Sequence, residues 1–256
     1  MRALVSFAKK EFTEHIRSVR FFILIAVIVF FGITNPIIAK VTPMLLEMLS
    51  DSVEMGGMEI VQVSAGAMDS WVQFFGNFPV CIITFLLIES RIFTSEYRSG
   101  TLILSLTKGL SRYKVVVAKA AVLAIIWTAV YWLYFFATYI GTAVIFDEYT
   151  AENLVFSSVC SWLFGLFTAM LVVLFSALGR TNIVVLLGCG GVVLVTYILS
   201  FLPKIKNYSP MFLTDGYSLV CGVNTPADYT ESFIITAVLT FSCVALSIVI
   251  FNKKKL

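Results

Sequence analysis

Residues 89–119 read ESRIFTSEYRSGTLILSLTKGLSRYKVVVAK and separate two long apolar runs. Six of the chain's 18 Lys and Arg lie within this segment. Gly100 and Gly109 can each end a helix, and Thr101 and Ser111 can each cap the start of another. The pattern predicts three helical pieces, of which the middle one, LILSLT, is short and largely apolar. Such a helix is suited to a groove on a partner protein; the alternative is a solvated basic loop.

The composition indicates a membrane protein. Hydrophobic residues make up 59% of the 256-residue chain and charged residues only 13%, against about a quarter charged in ordinary soluble domains. A helix needs about 20 apolar residues to cross the hydrocarbon core of a bilayer. Six runs meet this length, at about residues 21–41, 71–90, 115–146, 154–178, 183–202 and 232–251. The sequence therefore predicts an all-α membrane protein of one domain with six transmembrane helices.

The distribution of charge predicts the orientation of the chain. Of the 18 Lys and Arg, 15 lie in four segments, together with only four of the 15 acids: residues 1–20, 89–119, 179–182 and 252–256. Cytoplasmic segments carry the excess of Lys and Arg. Both termini are therefore expected in the cytoplasm, which agrees with an even number of spans. The outer segments then include two long loops, residues 42–70 and 203–231.

The first twenty residues predict an amphipathic helix that lies in the membrane interface. Leu4, Ala8 and Phe12 recur at helical spacing, and charged residues occupy the other faces. His15, the only histidine, is expected on the polar face. A role for it as a ligand or general base would need partners that the sequence does not show.

The outer end of the first span carries two prolines and leads into a methionine-rich loop. Asn35-Pro36 is expected to kink or loosen the span, and Pro43 can begin a short separate helix. Five of the eight methionines follow: Met44, Met48, Met55, Met58 and Met68. Methionines of this kind can bind copper(I) or serve as adaptable apolar contacts.

The sequence lacks the groups that a self-contained enzyme or pump would need. No GxxxxGK[ST] nucleotide-binding loop occurs, and the five cysteines show no metal-binding spacing. Ion-coupled transporters usually carry ionisable residues in mid-membrane, and the predicted spans contain almost none. Glu89 and Lys119 lie at the inner ends of the second and third spans, where they can face each other or the lipid headgroups. No catalytic or metal residue is predicted, and energy for transport would have to come from a partner subunit.

Two further groups of residues lie inside the spans. An aromatic stripe at four-residue spacing in the third span consists of Trp127, Tyr131, Phe135 and Tyr139. Such a stripe can line a path for apolar or amphipathic cargo, or it can pack against neighbouring helices or lipid. The fifth span carries Gly188, Gly190 and Gly191. These glycines indicate close helix packing rather than a phosphate-binding loop.

The segment between the second and third spans also carries a family resemblance. Its pattern is Glu96, Gly100-Thr101-Leu102, Leu106-Thr107, Leu110-Ser111-Arg112 and Lys119. This pattern resembles the signature of type-2 ABC transporter permeases, which is an acidic residue, GTL, LLT, a proline-containing PLSR and a lysine. Gly109 stands where that family commonly has proline. The chain length, the six spans and the amphipathic N-terminal helix are similar to this family as well.

The resemblance implies roles for several parts of the chain. Residues 1–20 would form an elbow helix, and residues 101–109, within a coupling segment at 91–114, would form a coupling helix seated in an ATP-binding subunit. The residues implied in coupling are Glu96, Gly100, Thr101, Leu102, Leu106, Thr107, Gly109, Leu110, Ser111 and Arg112. The permease would form a homodimer, or a heterodimer with a second permease, and bind two ATPase subunits. ATP and Mg would be bound by those subunits, and no cofactor by this chain. The outer loop 203–231 would carry re-entrant helical pieces.

The predicted function is that of the membrane subunit of a bacterial ABC exporter in the plasma membrane. Amphipathic or antimicrobial-type peptides, or other hydrophobic compounds, are the expected cargo. The aromatic third span and the acidic, methionine-rich outer loop are compatible with a cationic amphipathic cargo. Export of drugs or sodium and a copper-related role are the alternatives within the class. From other classes, an intramembrane enzyme would act without ATP, and a non-transporting immunity or sensor scaffold would survive loss of ATP hydrolysis in its partner.

Overall fold

The computed structural model describes residues 2–52, 66–94, 97, 107, 111–147 and 151–254. The first six helices are α1 Arg2–Ile16, α2 Val19–Ser52, α3 Ala67–Glu89, α4 Arg112–Ile145, α5 Leu154–Leu178 and α6 Asn182–Ser200. Four short pieces follow: the 3-10 helices Lys206–Tyr208 and Pro210–Thr214, helix α7 Gly216–Val220 and the 3-10 helix Pro226–Tyr229. Helix α8, Thr230–Lys253, ends the bundle.

Six of these helices, α2 to α6 and α8, are long and apolar enough to cross a membrane. No β-strand occurs among the described residues. The prediction of an all-α membrane protein with six transmembrane helices is confirmed. The short helix predicted between the second and third spans falls almost entirely outside the described residues.

Helix α2 continues unbroken through Pro36 and Pro43, although the sequence predicted that the span would end near residue 41 and that a separate helix would begin at the second proline. Pro36 has no N–H, so the carbonyl of Gly32 lacks its usual helical donor. The hydroxyl of Thr138 on α4 donates to that carbonyl at 3.0 Å. Membrane-spanning helices tolerate proline where a neighbouring helix satisfies the freed group, which accounts for the continuity of α2 at Pro36.

Helix α4 lies at the centre of the bundle. It packs against α1, α2, α3, α5 and α8, and with α5 it is among the most buried of the six long helices. Helix α6 is the least buried of them. Its exposed side chains are apolar, Leu187, Leu194 and Ile198 among them, which is typical of a helix that faces lipid or another subunit.

The two ends of the bundle differ in the charge of their side chains. The basic end consists of α1 with residues 89–94, 97, 111–119, 179–182 and 251–254. The acidic end consists of residues 146–147, 151–153 and 203–229. At the acidic end the short helical pieces pack back onto the long helices: the Ser157 hydroxyl donates to the carbonyl of Gly216 at 3.1 Å, and the rings of Phe212 and Tyr229 stack with centroids 4.4 Å apart.

Candidate functional site

The structure describes three of the ten residues predicted to couple the chain to an ATPase, namely Thr107, Ser111 and Arg112. The other seven lie outside the described residues: Glu96, Gly100, Thr101, Leu102, Leu106, Gly109 and Leu110. Thr107 is exposed. Ser111 occupies the N-cap position of α4 with an extended backbone, although its side chain makes no capping hydrogen bond. The described chain on either side of residues 98–110 consists of a first flank (residues 89–94 and 97) and a second flank (residues 111–119).

The first flank contacts the ends of two other long helices. Phe93 is fully buried, and its ring meets the ring of Phe251 at the end of α8 with centroids 5.9 Å apart. The hydroxyl of Thr94, also buried, donates a hydrogen bond to the Asn182 side-chain oxygen at the start of α6. The chain that leaves α3 is thus attached to α6 and α8 before it enters the predicted coupling helix.

The second flank is attached to α8 through Arg112. Its guanidinium Nη1 donates to the carbonyls of Phe251, Asn252 and Lys254 at 3.4, 3.1 and 2.6 Å. The last carbonyls of a helix have no partner within the helix, and positive charge near them is favourable because of the helix dipole. Arg112 therefore caps the C-terminus of α8 rather than pointing away from the bundle.

Lys254 makes the next connection, from the end of α8 to the end of α5. Its Nζ donates to the carbonyls of Ala177, Leu178 and Gly179 at 2.8, 3.3 and 2.8 Å. The same ammonium lies 4.5 Å from the centroid of the Tyr97 ring, in the first flank. Burial, and to a lesser degree the charge of Arg180, lower the pKa of Lys254 from 10.5 to about 8.

Helix α1 is attached to the bundle by two contacts between polar side chains. Lys119 is only 1% exposed, and its Nζ lies 2.6 Å from Glu11 Oε2 and donates to the Ile92 carbonyl at 3.1 Å. Glu89, 2% exposed, has its Oε1 atom 3.1 Å from His15 Nε2, within ion-pair distance but without hydrogen-bond alignment. Glu11 and His15 are four residues apart and so project from the same face of α1.

These contacts correct the expected surroundings of Glu89 and Lys119. The sequence placed them opposite each other or against the headgroups, whereas each meets a residue of α1. The physical reason is that α1 lies across the ends of α3 and α4 and brings a carboxylate and an imidazole to them. The spacing of Glu11 and His15 was the signal that could have indicated a two-point attachment.

The aromatic stripe of α4 belongs to the protein interior. Trp127, Tyr131 and Phe135 are buried, and Tyr139 is partly buried with its ring 6.3 Å from that of Trp71. The Trp127 indole N–H donates to the Trp162 carbonyl at 2.9 Å. A Cβ at Gly165 of α5 would overlap the same indole. The stripe therefore joins α3, α4 and α5 within this chain.

The three glycines of α6 have different surroundings. A Cβ at Gly188 would overlap the Phe175 ring of α5, whereas Gly190 and Gly191 face open space. Gly188 therefore permits close packing within the chain.

The five methionines near the first outer loop are only partly described. Met44 and Met48 are exposed on α2 and Met68 is exposed at the start of α3, while Met55 and Met58 lie outside the described residues.

A polar cluster in the middle of the bundle was not found from the sequence. The Asn35 amide donates to the Tyr134 hydroxyl and to the Thr138 hydroxyl, at 3.0 Å each. The Asn77 amide donates to the Asn35 side-chain oxygen at 2.8 Å. Helices α2, α3 and α4 thereby share one hydrogen-bond network. Polar side chains within an apolar span are the signal for such a network, but the sequence does not show which residues meet.

The fold and the basic end together define a multi-pass membrane component whose charged segment between α3 and α4 is attached to the ends of the other helices. Residues 5–256 match the family model described as ABC-2 family transporter protein. The chain therefore belongs to the ABC-2 transporter family, whose members are membrane transport components that normally work with an ATPase subunit. No curated protein matches the chain.

Proposed function

We propose that this chain is the permease subunit of an ABC exporter, powered by two copies of a separate ATPase subunit. The observation that carries the proposal is the attachment of both flanks of residues 98–110 to the ends of long helices. The first flank meets α6 and α8 through Thr94 and Phe93, and the second meets α8 through Arg112. Movement of the segment between the flanks would therefore reach several spans at once.

The charge of the basic end supports the proposed direction of insertion. That end carries most of the Lys and Arg of the chain, and the positive-inside rule assigns it to the cytoplasm. An ATPase subunit is then on the side of the membrane that contains ATP. The plasma membrane of a bacterium is the proposed location.

The exposed faces of the helices support a dimer of permease chains. Helix α6 leaves most of its surface uncovered, with Gly190 and Gly191 in open space. Small residues on a spanning helix allow close approach of a second helix. A homodimer is the proposed assembly, and a second, different permease chain could occupy the same face.

Cationic amphipathic peptides are the proposed cargo. Eleven of the 15 acidic residues lie outside the four basic segments, so the outer side would attract positive charge. This argument supports a positively charged cargo and does not single out a particular compound.

The coupling role is tested by co-purification of the chain with its ATPase. Leu102→Asp and Leu106→Asp would place charge on the apolar short helix, so association with the ATPase and its stimulation by cargo should both be lost. Asp147→Asn, at the acidic end, is the control and should retain both. If the two Leu variants associate and stimulate ATP hydrolysis as the unmodified chain does, the coupling role is wrong.

The cargo is tested separately in inside-out proteoliposomes. A fluorescent cationic amphipathic peptide should accumulate in the lumen when ATP is added, and an uncharged peptide of the same hydrophobicity should accumulate less. Equal accumulation of the two peptides, or none of either, would overturn the proposed cargo without affecting the coupling role.

A further inference from the structure

The last described residues of the chain lie between the second flank and the end of α5. On one side, the Lys254 carbonyl accepts the shortest of the three Arg112 hydrogen bonds, at 2.6 Å. On the other side, the Lys254 ammonium donates to the carbonyls of Ala177 and Gly179, at 2.8 Å each. The backbone of Lys254 thus binds the start of α4, and its side chain binds the end of α5, so this one residue links the two helix ends.

We propose that residues 251–254, called here the C-terminal strut, transmit displacement of the second flank to the end of α5, with Lys254 as the positioning residue. This inference rests on the proposed function, because it requires a coupling segment that an ATPase displaces. It assigns Arg112 an internal role, in transmission within the permease, where the resemblance implied contact with the ATPase.

The bonding of the strut is suited to transmission. An ammonium has three donors, and three carbonyls at the end of α5 accept them. Charge-assisted hydrogen bonds are roughly twice as strong as neutral ones. Lysines near the ends of membrane helices usually extend to the interface, whereas the Lys254 ammonium binds the end of α5 and Lys253 beside it is exposed.

The first flank meets the same residue. The Tyr97 ring lies 4.5 Å from the Lys254 ammonium, within the range of a cation–π contact. Both flanks of the coupling segment therefore touch the strut, one through Tyr97 and one through Arg112. Lys254 is the residue at which the two paths meet before they reach α5.

The first experiment compares Lys254→Gln with Lys253→Gln in the complex with the ATPase, reconstituted in proteoliposomes. The Lys254 variant should co-purify with the ATPase and hydrolyse ATP at the unmodified rate, while peptide transported per ATP falls by at least about tenfold. The reason is that three charge-assisted bonds to α5 are lost, and loss of one such bond corresponds to roughly a factor of ten. Lys254→Arg, which keeps the cation, should recover part of the loss, and Lys253→Gln should behave as the unmodified chain. An unchanged transport ratio in Lys254→Gln would overturn the strut.

A second comparison tests whether the contacts act in series. If Arg112 and Lys254 transmit the same displacement, Arg112→Gln combined with Lys254→Gln should lose no more coupling than the worse single variant. Independent contacts would instead give losses that multiply, and that result would overturn the proposal.

A measurement on the unmodified contacts keeps the proposal testable if Lys254→Gln does not fold. Spin labels at Thr181→Cys and Lys253→Cys, both exposed positions, report the distance across the strut. Cys221→Ser removes the one native cysteine that is not buried. The distance distribution should be the same without nucleotide and with ATP trapped in the complex, because the strut moves as one unit; a distance that differs between the two states would overturn it.

Failure of the proposed function can be distinguished from failure of the strut alone by measuring association with the ATPase. A wild-type chain that neither associates with the ATPase nor alters its ATP hydrolysis would overturn both the function and the strut. A complex that assembles and transports, but ignores substitution of Lys254, would overturn the strut alone.

Discussion

The two ends of the bundle are held together by different chemistry. At the basic end, charged side chains bind the ends of helices: Arg112 and Lys254 donate to free carbonyls, and Lys119 pairs with Glu11. At the acidic end, neutral hydroxyls join the short helical pieces to the long helices, as in the Ser157 bond to Gly216 and the Ser232 bond to Ser209.

The difference matters because the two kinds of bond fail differently. Loss of one partner of a buried ion pair leaves an uncompensated charge, which costs several kcal/mol. Loss of a hydroxyl leaves only a neutral carbonyl without its donor, which costs about 1–3 kcal/mol. The basic end should therefore respond more sharply to single substitutions, as suits the end where we propose that energy enters.

The largest effect is expected from Lys119→Met, which breaks the pair with Glu11 inside the bundle. Removal of one partner of a buried pair costs about 3–5 kcal/mol, or roughly 10 °C in Tm for a chain of this size. Thermal unfolding of the purified chain in detergent measures the change. Lys114→Met, a few residues earlier on α4, is the control and should change Tm little. The double variant Glu11→Gln, Lys119→Met should be more stable than Lys119→Met alone; if it is less stable, the pair is not the cause.

A smaller effect is expected from Ser232→Ala at the acidic end. The Ser232 hydroxyl is fully buried and donates to the Ser209 carbonyl at 2.6 Å. Its loss should cost about 1–2 kcal/mol, because a buried carbonyl loses a neutral donor. Ser242→Ala on the same helix removes only a bond to the Val238 carbonyl one turn away, and it should be nearly neutral in the same unfolding assay. A loss as large as that of Lys119→Met would contradict the contrast between the ends.

The smallest effect is the dependence of stability on the protonation of Lys254, because this side chain is only partly buried and solvent screens its charge. Its pKa in the folded chain is lowered from 10.5 to about 8 by burial and by Arg180, and Arg112 and Tyr97 also face it. Between these two pH values the unfolded chain binds more protons than the folded chain, so stability rises with pH. The Tm of the unmodified chain relative to Lys254→Met should therefore increase from pH 8 to pH 10.5. A difference that stays constant or decreases over this interval would show that the pKa is not lowered.

Much of the fold could be predicted because hydrophobicity is a local property. Each run of about 20 apolar residues needs no partner to be recognised as a span, and the six runs in the sequence correspond to the six long apolar helices of the structure. The continuity of α2 could not be found in this way. It depends on Thr138, more than a hundred residues from the carbonyl that it satisfies, and such a partner is visible only in three dimensions.

The candidate site was predictable in position but not in its contacts. Charge and glycine spacing marked residues 89–119, while the partner of Lys119 depends on how α1 docks. Lys254 looked like an ordinary cytoplasmic lysine because its three acceptors are backbone carbonyls of α5, which every residue possesses. No pattern of side chains in the sequence could have indicated them.

The bond from Thr138 to Gly32 also limits how the bundle can move. Pro36 has no N–H to donate to that carbonyl in the usual helical pattern, and an unsatisfied carbonyl in hydrocarbon costs several kcal/mol. Two close contacts reinforce the bond, because a Cβ at Gly32 would lie 2.7 Å from Ala137 and one at Gly141 would lie 2.7 Å from Pro36. These contacts hold α2 and α4 together, so we expect the two helices to move as one pair in a transport cycle and an opening to form along other faces of the bundle.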